Sequence, residues 1–254
     1  MAEVALVTGA AGDIGSATAR RLAEAGAHVF LADLDAAAAE ARAGELSSDG
    51  LEATALELDV TDEDSVAAAV AATGDQGGSL DILVNGAGIV LINNFEDFSR
   101  EDWLRIYEIN VYGTFLCIKH ATPLLRASRD QGRIVNLSSG AGRRPAPLIA
   151  PYACAKAAIS SLTRSSAVAL APDIRVNCVS PGVVEGKMWE GIETRFDELG
   201  VPDSARYEAR IAAVPLARGG SAAEIADVIA FLASPASSYV HGQDIQVDGG
   251  QVMQ

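Results

Sequence analysis

The chain has 254 residues, 49% of them hydrophobic, and a formal net charge of −15 at pH 7; that is apolar material enough for a sizeable core, and the acidity argues against nucleic acid or an anionic membrane surface as a partner. The cysteines (Cys117, Cys154, Cys178) and histidines (His28, His120, His241) are scattered without paired or metal-ligand spacing, so free thiols in a reducing compartment and no metal are expected. No positively charged start leads into an apolar run and no stretch reaches membrane-span length, which makes the cytoplasm the expected location.

In chain order, Glu3 to Thr8 reads as a buried strand, Asp13 to Ala25 as a helix and Ala27 to Asp33 as a second strand. The rhythm continues with a helix near Ala36 to Leu46, a strand from Glu52 to Leu58, a helix from Glu63 to Ala72 and a strand from Leu80 to Asn85. Arg100 to Ala127 reads as one long helical stretch, Arg133 to Leu137 as a strand, Tyr152 to Leu170 as an alanine-rich helix and Ile174 to Val179 as a strand. Val183 to Pro215 breaks the rhythm. It is charged, carries Trp189, Phe196 and Tyr207, and has no strand pattern, as expected of a functional or mobile insertion. A helix from Ala222 to Ala233 and a strand from Asp244 to Val247 follow. Strand, helix, strand at this spacing predicts parallel βαβ units with right-handed crossovers. The expected fold class is therefore α/β: one doubly wound domain over residues 1–254, with a parallel sheet of about seven strands and an insertion at about 183–215.

The first strand runs straight into Thr8-Gly9-Ala10-Ala11-Gly12-Asp13-Ile14-Gly15 at a helix start. A glycine turn there lets backbone N–H groups approach a pyrophosphate, whose charge the helix dipole favours. Gly9, Gly12, Asp13, Ile14 and Gly15 are the candidate contacts. Asp33 ends the second strand. A carboxylate at that place accepts hydrogen bonds from adenosine ribose hydroxyls and repels a 2′-phosphate. Neither Leu34 nor Gly12 offers the positive charge a 2′-phosphate would want, so NAD is favoured over NADP.

Further along, short motifs accumulate that together resemble the short-chain dehydrogenase/reductase family over nearly the whole chain. The opening resembles its Thr-Gly-x-x-x-Gly-x-Gly turn, with Asp13 in place of the middle glycine. That acid is unfavourable near phosphates unless its side chain points away or caps the helix, so contact is expected through the backbone at Ile14. Asp59-Val60 resembles the adenine-contacting pair, and Asn85-Gly86-Ala87-Gly88 the Asn-Asn-Ala-Gly element, so Asn85, Ala87 and Gly88 join the cofactor residues. Asn110 matches the family's active-site asparagine, Ser139 at the end of Ile134-Val135-Asn136-Leu137-Ser138-Ser139 its catalytic serine, and Tyr152-Ala153-Cys154-Ala155-Lys156 its Tyr-x-x-x-Lys. Pro181-Gly182, with Val183 and Val184 after it, matches the turn beside the nicotinamide. The resemblance implies a Rossmann-like fold, an NAD cofactor, a small alcohol or ketone substrate and a homotetramer built on the helices Arg100–Ala127 and Tyr152–Leu170.

The chemistry suits these residues. A free tyrosine titrates near pH ~10. Lys156 lies four residues after Tyr152, on the same helix face, where its ammonium, with the nicotinium charge, would favour the phenolate. Ser139 would hold the substrate oxygen and stabilise developing charge. By resemblance, Lys156 would also hold the nicotinamide ribose and Asn110 would support a water linking Lys156 to solvent. Ser138 falls on the opposite strand face and is not assigned; Cys154, on another helix face, is expected to pack.

Ala141-Gly142-Arg143-Arg144 and the stretch from Pro181 to Gly186, followed by Trp189 and Phe196, resemble the bacterial sorbitol and galactitol dehydrogenases. This predicts a polyol substrate, with Glu185 accepting hydrogen bonds from its hydroxyls and Trp189 walling the pocket. The alternatives are that Glu185 caps the following helix while Trp189 packs under the loop, and that the substrate is a hydrophobic or ketoacyl carbonyl compound. A non-catalytic NAD-sensing protein would be marked by loss of the tyrosine, lysine or serine, and all three are present.

Overall fold

The computed structural model describes residues 2–253, the side chains of Lys187 and Ala205 excepted. β1 (Val4–Thr8) is buried at every position, as a strand covered on both faces must be. It leads to α1 (Asp13–Glu24), β2 (His28–Asp33), α2 (Ala36–Ser48), β3 (Ala53–Glu57), α3 (Glu63–Gly77) and β4 (Ile82–Asn85). The second half holds α4 (Arg100–Tyr107), α5 (Gly113–Arg126), β5 (Gly132–Leu137), α6 (Ala150–Leu170) and β6 (Ile174–Pro181). α7 (Lys187–Glu198), α8 (Tyr207–Ala212), α9 (Ala222–Leu232) and β7 (Asp244–Val247) follow.

All seven strands pair in parallel in the order β3-β2-β1-β4-β5-β6-β7. The order reverses between β1 and β4, which opens a crevice at the carboxyl ends of the strands. Side chains alternate across the sheet with period two. Leu6 and Phe30 point to one face with Val66, Leu116 and Leu125 of α3 and α5. Val7 and Leu31 point to the other with Leu22, Leu46 and Ile229 of α1, α2 and α9. Polar caps set several helix starts. Asp35 accepts from Ala38 N at 3.0 Å, and Ser99 with Asp102 and Ser221 with Glu224 form capping boxes on α4 and α9. Among the described residues no helix is long and apolar enough to cross a membrane.

The structure adds detail to two of the expected segments. The long helix over Arg100 to Ala127 is two helices joined by a π turn at Glu108–Tyr112. The cause is Asn110, whose Nδ2 donates to Ile106 O at 3.0 Å, taking the carbonyl that its own backbone N–H would use in an α-helix. The insertion after Val183 has no strand but is not irregular. It folds into α7 and α8, pinned to the sheet side by a single parallel bridge between Val184 and Gly220.

Phe30 is fully buried among β-strand and α3 residues. Phe30→Ala is expected to cost about 3–5 kcal/mol, read as a lower urea midpoint at unchanged slope.

Candidate active site

A cleft of about 490 Å³ occupies the crevice between β1 and β4. Its floor is backbone packed on backbone. A Cβ on Gly15 would lie 2.1 Å from Gly9 O, and one on Gly9, where φ is +67°, would lie 2.7 Å from Ala87 N. Thr8 Oγ1 accepts from Gly86 N and Ala87 N at 3.2 Å each, joining the turn to the segment after β4. Asp33 Oδ2 accepts from Ala11 N at 2.9 Å and Oδ1 from Asp35 N at 3.1 Å, so this carboxylate both lines the cleft and braces the glycine turn. Leu34 beside it is 66% exposed. Asp59 Oδ1 accepts from Thr61 N and Thr61 Oγ1 at 2.9 and 2.7 Å, while Val60 packs on Gly113, where a Cβ would meet it at 2.7 Å. A cradle that Cβ atoms would fill, at the start of α1, fits an extended dinucleotide.

At the inner end, Ser139 follows β5 and its Oγ accepts from Ala141 N at 3.1 Å. Tyr152 on α6 is hydrogen-bonded to Ser139. Burial pushes the Tyr152 phenol above its ordinary value, against the opposite pull of that bond. Lys156 Nζ donates to Leu137 O at 2.7 Å and stands 5.6 Å from the Tyr152 ring centroid. Burial lowers Lys156 to about 8. Burial thus holds both groups toward their neutral forms in the protein alone; the expected phenolate depends on the nicotinium charge as well.

Among the residues expected at the site, the glycine turn from Gly9 to Gly15 lines the cleft through Gly9, Gly12, Asp13, Ile14 and Gly15. Asp33, Leu34, Asp59, Val60, Ala87 and Gly88 line it as well, and so do Ser139, Tyr152, Lys156, Pro181, Gly182, Val184, Glu185 and Trp189. Three others lie outside its lining. Asn85 is buried at the end of β4 and donates to Asn136 Oδ1 at 2.8 Å, which puts it in the sheet. Val183 is buried, with its carbonyl accepting from Gly220 N. Asn110 is fully buried, its Oδ1 accepting from Ile89 N and its Nδ2 donating to Ile89 O and Ile106 O. It meets the site through Gly88, where a Cβ would lie 2.2 Å from Asn110 Oδ1 and 3.5 Å from Lys156 Nζ. Cys154, expected to pack, is exposed.

Sequence reasoning missed a buried polar bracket behind α6. Ser138 Oγ donates to Lys156 O at 2.7 Å and meets Ser160 Oγ at 3.0 Å. Ser160 and Ser180 each donate to Asp244 at 2.6 Å, and Arg143 pairs with it at 2.8 Å. Burial works to raise the Asp244 carboxyl, but these partners hold it below its ordinary value. Serines on the buried sides of α6 and β6 were the available signal.

The insertion covers the open side. Glu185 does not cap α7: the N-cap is Gly186, without a side-chain bond. Instead Glu185 is hydrogen-bonded to Tyr207, whose phenol is raised by burial and then by the Glu185 charge. Trp189 meets the Tyr207 ring edge-on at 5.5 Å, with the Arg210 guanidinium 5.5 Å from its own ring.

Comparison with known proteins places this geometry. A family model described as enoyl-(acyl carrier protein) reductase matches residues 9–251. The chain is 38% identical over 253 residues to a sorbitol dehydrogenase of Cereibacter sphaeroides, covering 99% of this chain and 98% of that protein. The crystal structure of an NAD+-bound xylitol dehydrogenase superposes with a TM-score of 0.92 at 34% identity, covering 98% of each chain. That of an actinorhodin polyketide ketoreductase variant with NADPH does so with 0.91 at 33%, covering 98% of this chain and 97% of that one.

Lys156 carries a pH signature. Between about 8 and its ordinary 10.5 the unfolded chain holds more protons than the folded one. The contribution of this lysine to stability is therefore lowest below about 8 and rises across that window. The Lys156 Cε resonance should titrate near 8, and Lys156→Met should flatten that part of the stability curve; a midpoint above 10 would contradict the assignment.

Proposed function

The chain belongs to the short-chain dehydrogenase/reductase family and is an oxidoreductase, and from that footing we propose that it interconverts a secondary alcohol, in particular a polyol, and its ketone with NAD as cofactor. The observation that carries this reading is the convergence of Ser139, Tyr152 and Lys156 at the inner end of a cleft built on the Gly9–Gly15 turn. When bound, the nicotinamide dinucleotide supplies the hydride acceptor or donor. The glycine turn, Asp59 and Val60 would hold it, and Asp33 would take the ribose hydroxyls and repel a 2′-phosphate.

The protein's own part is to orient the alcohol and move its proton. Ser139 Oγ holds the substrate oxygen, and Tyr152 Oη, as the phenolate that Lys156 and the nicotinium charge together would favour, takes the proton as the ketone forms. Lys156 supplies positive charge below the ring of Tyr152, little screened by water because its own side chain is buried. Asn110 keeps the segment after β4 in place against Lys156. Glu185, already accepting from Tyr207, is the acceptor available to hydroxyls flanking the reacting carbon, and Trp189 closes the wall. A second reading, reduction of a hydrophobic ketone, is favoured by the apolar recess beside the cleft, lined by Val90, Leu91, Ile92 and Ile192.

Assembly as a homotetramer is supported by apolar side chains left open on the long helices. Leu104, Tyr112 and Phe115 are exposed on α4, the π turn and α5, and Val168 on α6 is 83% exposed. Light scattering should give four times the chain mass; a monomer at micromolar concentration would defeat this.

An absorbance screen for NADH across polyols and plain secondary alcohols tests the reaction. Polyol oxidation is expected, with NAD bound at least about tenfold tighter than NADP, or ~1.4 kcal/mol. Glu185→Ala should raise KM for the polyol far more than for a plain alcohol; equal effects would turn the reading to hydrophobic ketones. Tyr152→Phe should lower kcat on the order of 10²–10⁴-fold while leaving NAD binding nearly intact, and a variant that keeps its rate would place the base elsewhere.

A further inference from the structure

Asp13 stands where the family's turn has its middle glycine, so its carboxylate is a feature of this chain rather than of the motif. Its position is unusual. A Cβ built on Gly186 would lie 2.2 Å from Asp13 Oδ2 and 3.0 Å from Asp13 Cγ. The carboxylate therefore spans from the glycine turn to the insertion. Gly186 is the N-cap of α7, has φ +144°, and brings no side chain with which to cap the helix. The Asp13 carboxylate supplies negative charge at the positive end of this 12-residue helix. Asp13 and Gly186 both line the cleft, as do Met188 and Trp189 within the next turn.

We infer that Asp13 is a positioning residue that seats the start of α7 on the glycine turn and thereby holds Met188 and Trp189 over the site. The same charge has a second effect. It lies in the wall whose backbone amides are placed to receive two phosphates, so it opposes a diphosphate there. Seating of the insertion and nucleotide affinity consequently pull against each other at one side chain. This inference rests on reading the cleft as a dinucleotide site.

The alternative role for Asp13 is local: it is the acid in the first turn of α1, where it would steady that helix alone. Asp13→Gly and Asp13→Asn separate the two. NAD affinity is measured by calorimetry at low and high salt, cleavage within residues 183–215 by limited proteolysis without nucleotide, and KM and kcat with the substrate found in the screen. Asp13→Gly should bind NAD about 3- to 10-fold tighter at low salt, with the gap narrowing at high salt. Its insertion should be cut several-fold faster, and substrate KM should rise by more than kcat falls. Asp13→Asn, which keeps an acceptor oxygen, should share the tighter binding and retain most of the protection. Gly186→Ala approaches the contact from the other side, and its effect on cleavage should shrink in an Asp13→Gly background, because the clash is then relieved. Equal cleavage and equal KM in Asp13→Gly and the unmutated protein would overturn the inference. So would a lower melting temperature with the insertion unaffected, which would assign Asp13 to α1. If the unmutated protein binds neither NAD nor NADP, it is the cofactor reading that fails, and the cleavage comparison still decides whether Asp13 seats α7.

Discussion

The site depends on an absence of side chains at one point. Where β1 turns into α1, the carbonyl of Gly9 faces Gly15 and the Gly9 Cα faces the backbone of Ala87, at separations no methyl group could occupy. This lets three pieces of main chain, from β1, α1 and the segment after β4, meet without intervening side chains. Thr8 and Asp33 then tie that junction with side-chain oxygens accepting from Gly86, Ala87 and Ala11. Asp33 consequently has two duties. The carboxylate proposed to select between two nucleotides also braces the glycine turn, so exchanging it alters rigidity together with charge.

At the inner end the governing quantity is dryness. Burial raises Tyr152 and lowers Lys156, so the protein alone holds both groups toward their neutral forms. The bracket of Ser138, Ser160, Ser180, Arg143 and Asp244 keeps the backbone of α6 fixed from behind. In such surroundings any positive charge brought into the cleft acts with little screening, and proton removal from Tyr152 becomes sensitive to what occupies the cleft.

The alternation of strands and helices was legible because the central strands β1, β4, β5 and β6 are buried on both faces and the longer helices on one, so hydrophobicity reports both. Ends were less legible where small residues mean contact rather than termination. α3 runs to Gly77, past the expected end at Ala72, because Gly74 and Gly77 let it lie against Leu124 and against Val4 and Phe30. Most site residues were legible through short motifs that the fold brings to one crevice. Asn85 lies in the sheet and outside the cleft lining, and a motif does not say which of its members faces a ligand and which holds the sheet. The meeting of Asp13 with Gly186, the pairing of Glu185 with Tyr207 and the Asp244 bracket join distant segments, and no local pattern announces such contacts.

The π turn at Glu108–Tyr112 carries one residue more than an α-helical turn would. That extra residue rotates everything after it by about 100°, one residue's share of a 3.6-residue turn. It sets Gly113 against Val60, which lines the cleft, and turns Tyr112 and Phe115 outward. Asn110 is the wedge that keeps it open. Were the wedge removed, the segment could anneal into a continuous α-helix, swinging α5 out of register with both the cleft wall and its outer face. An inactive Asn110 variant would then report a rotated helix as readily as a lost proton path, and the two would have to be told apart by whether Gly113 still meets Val60.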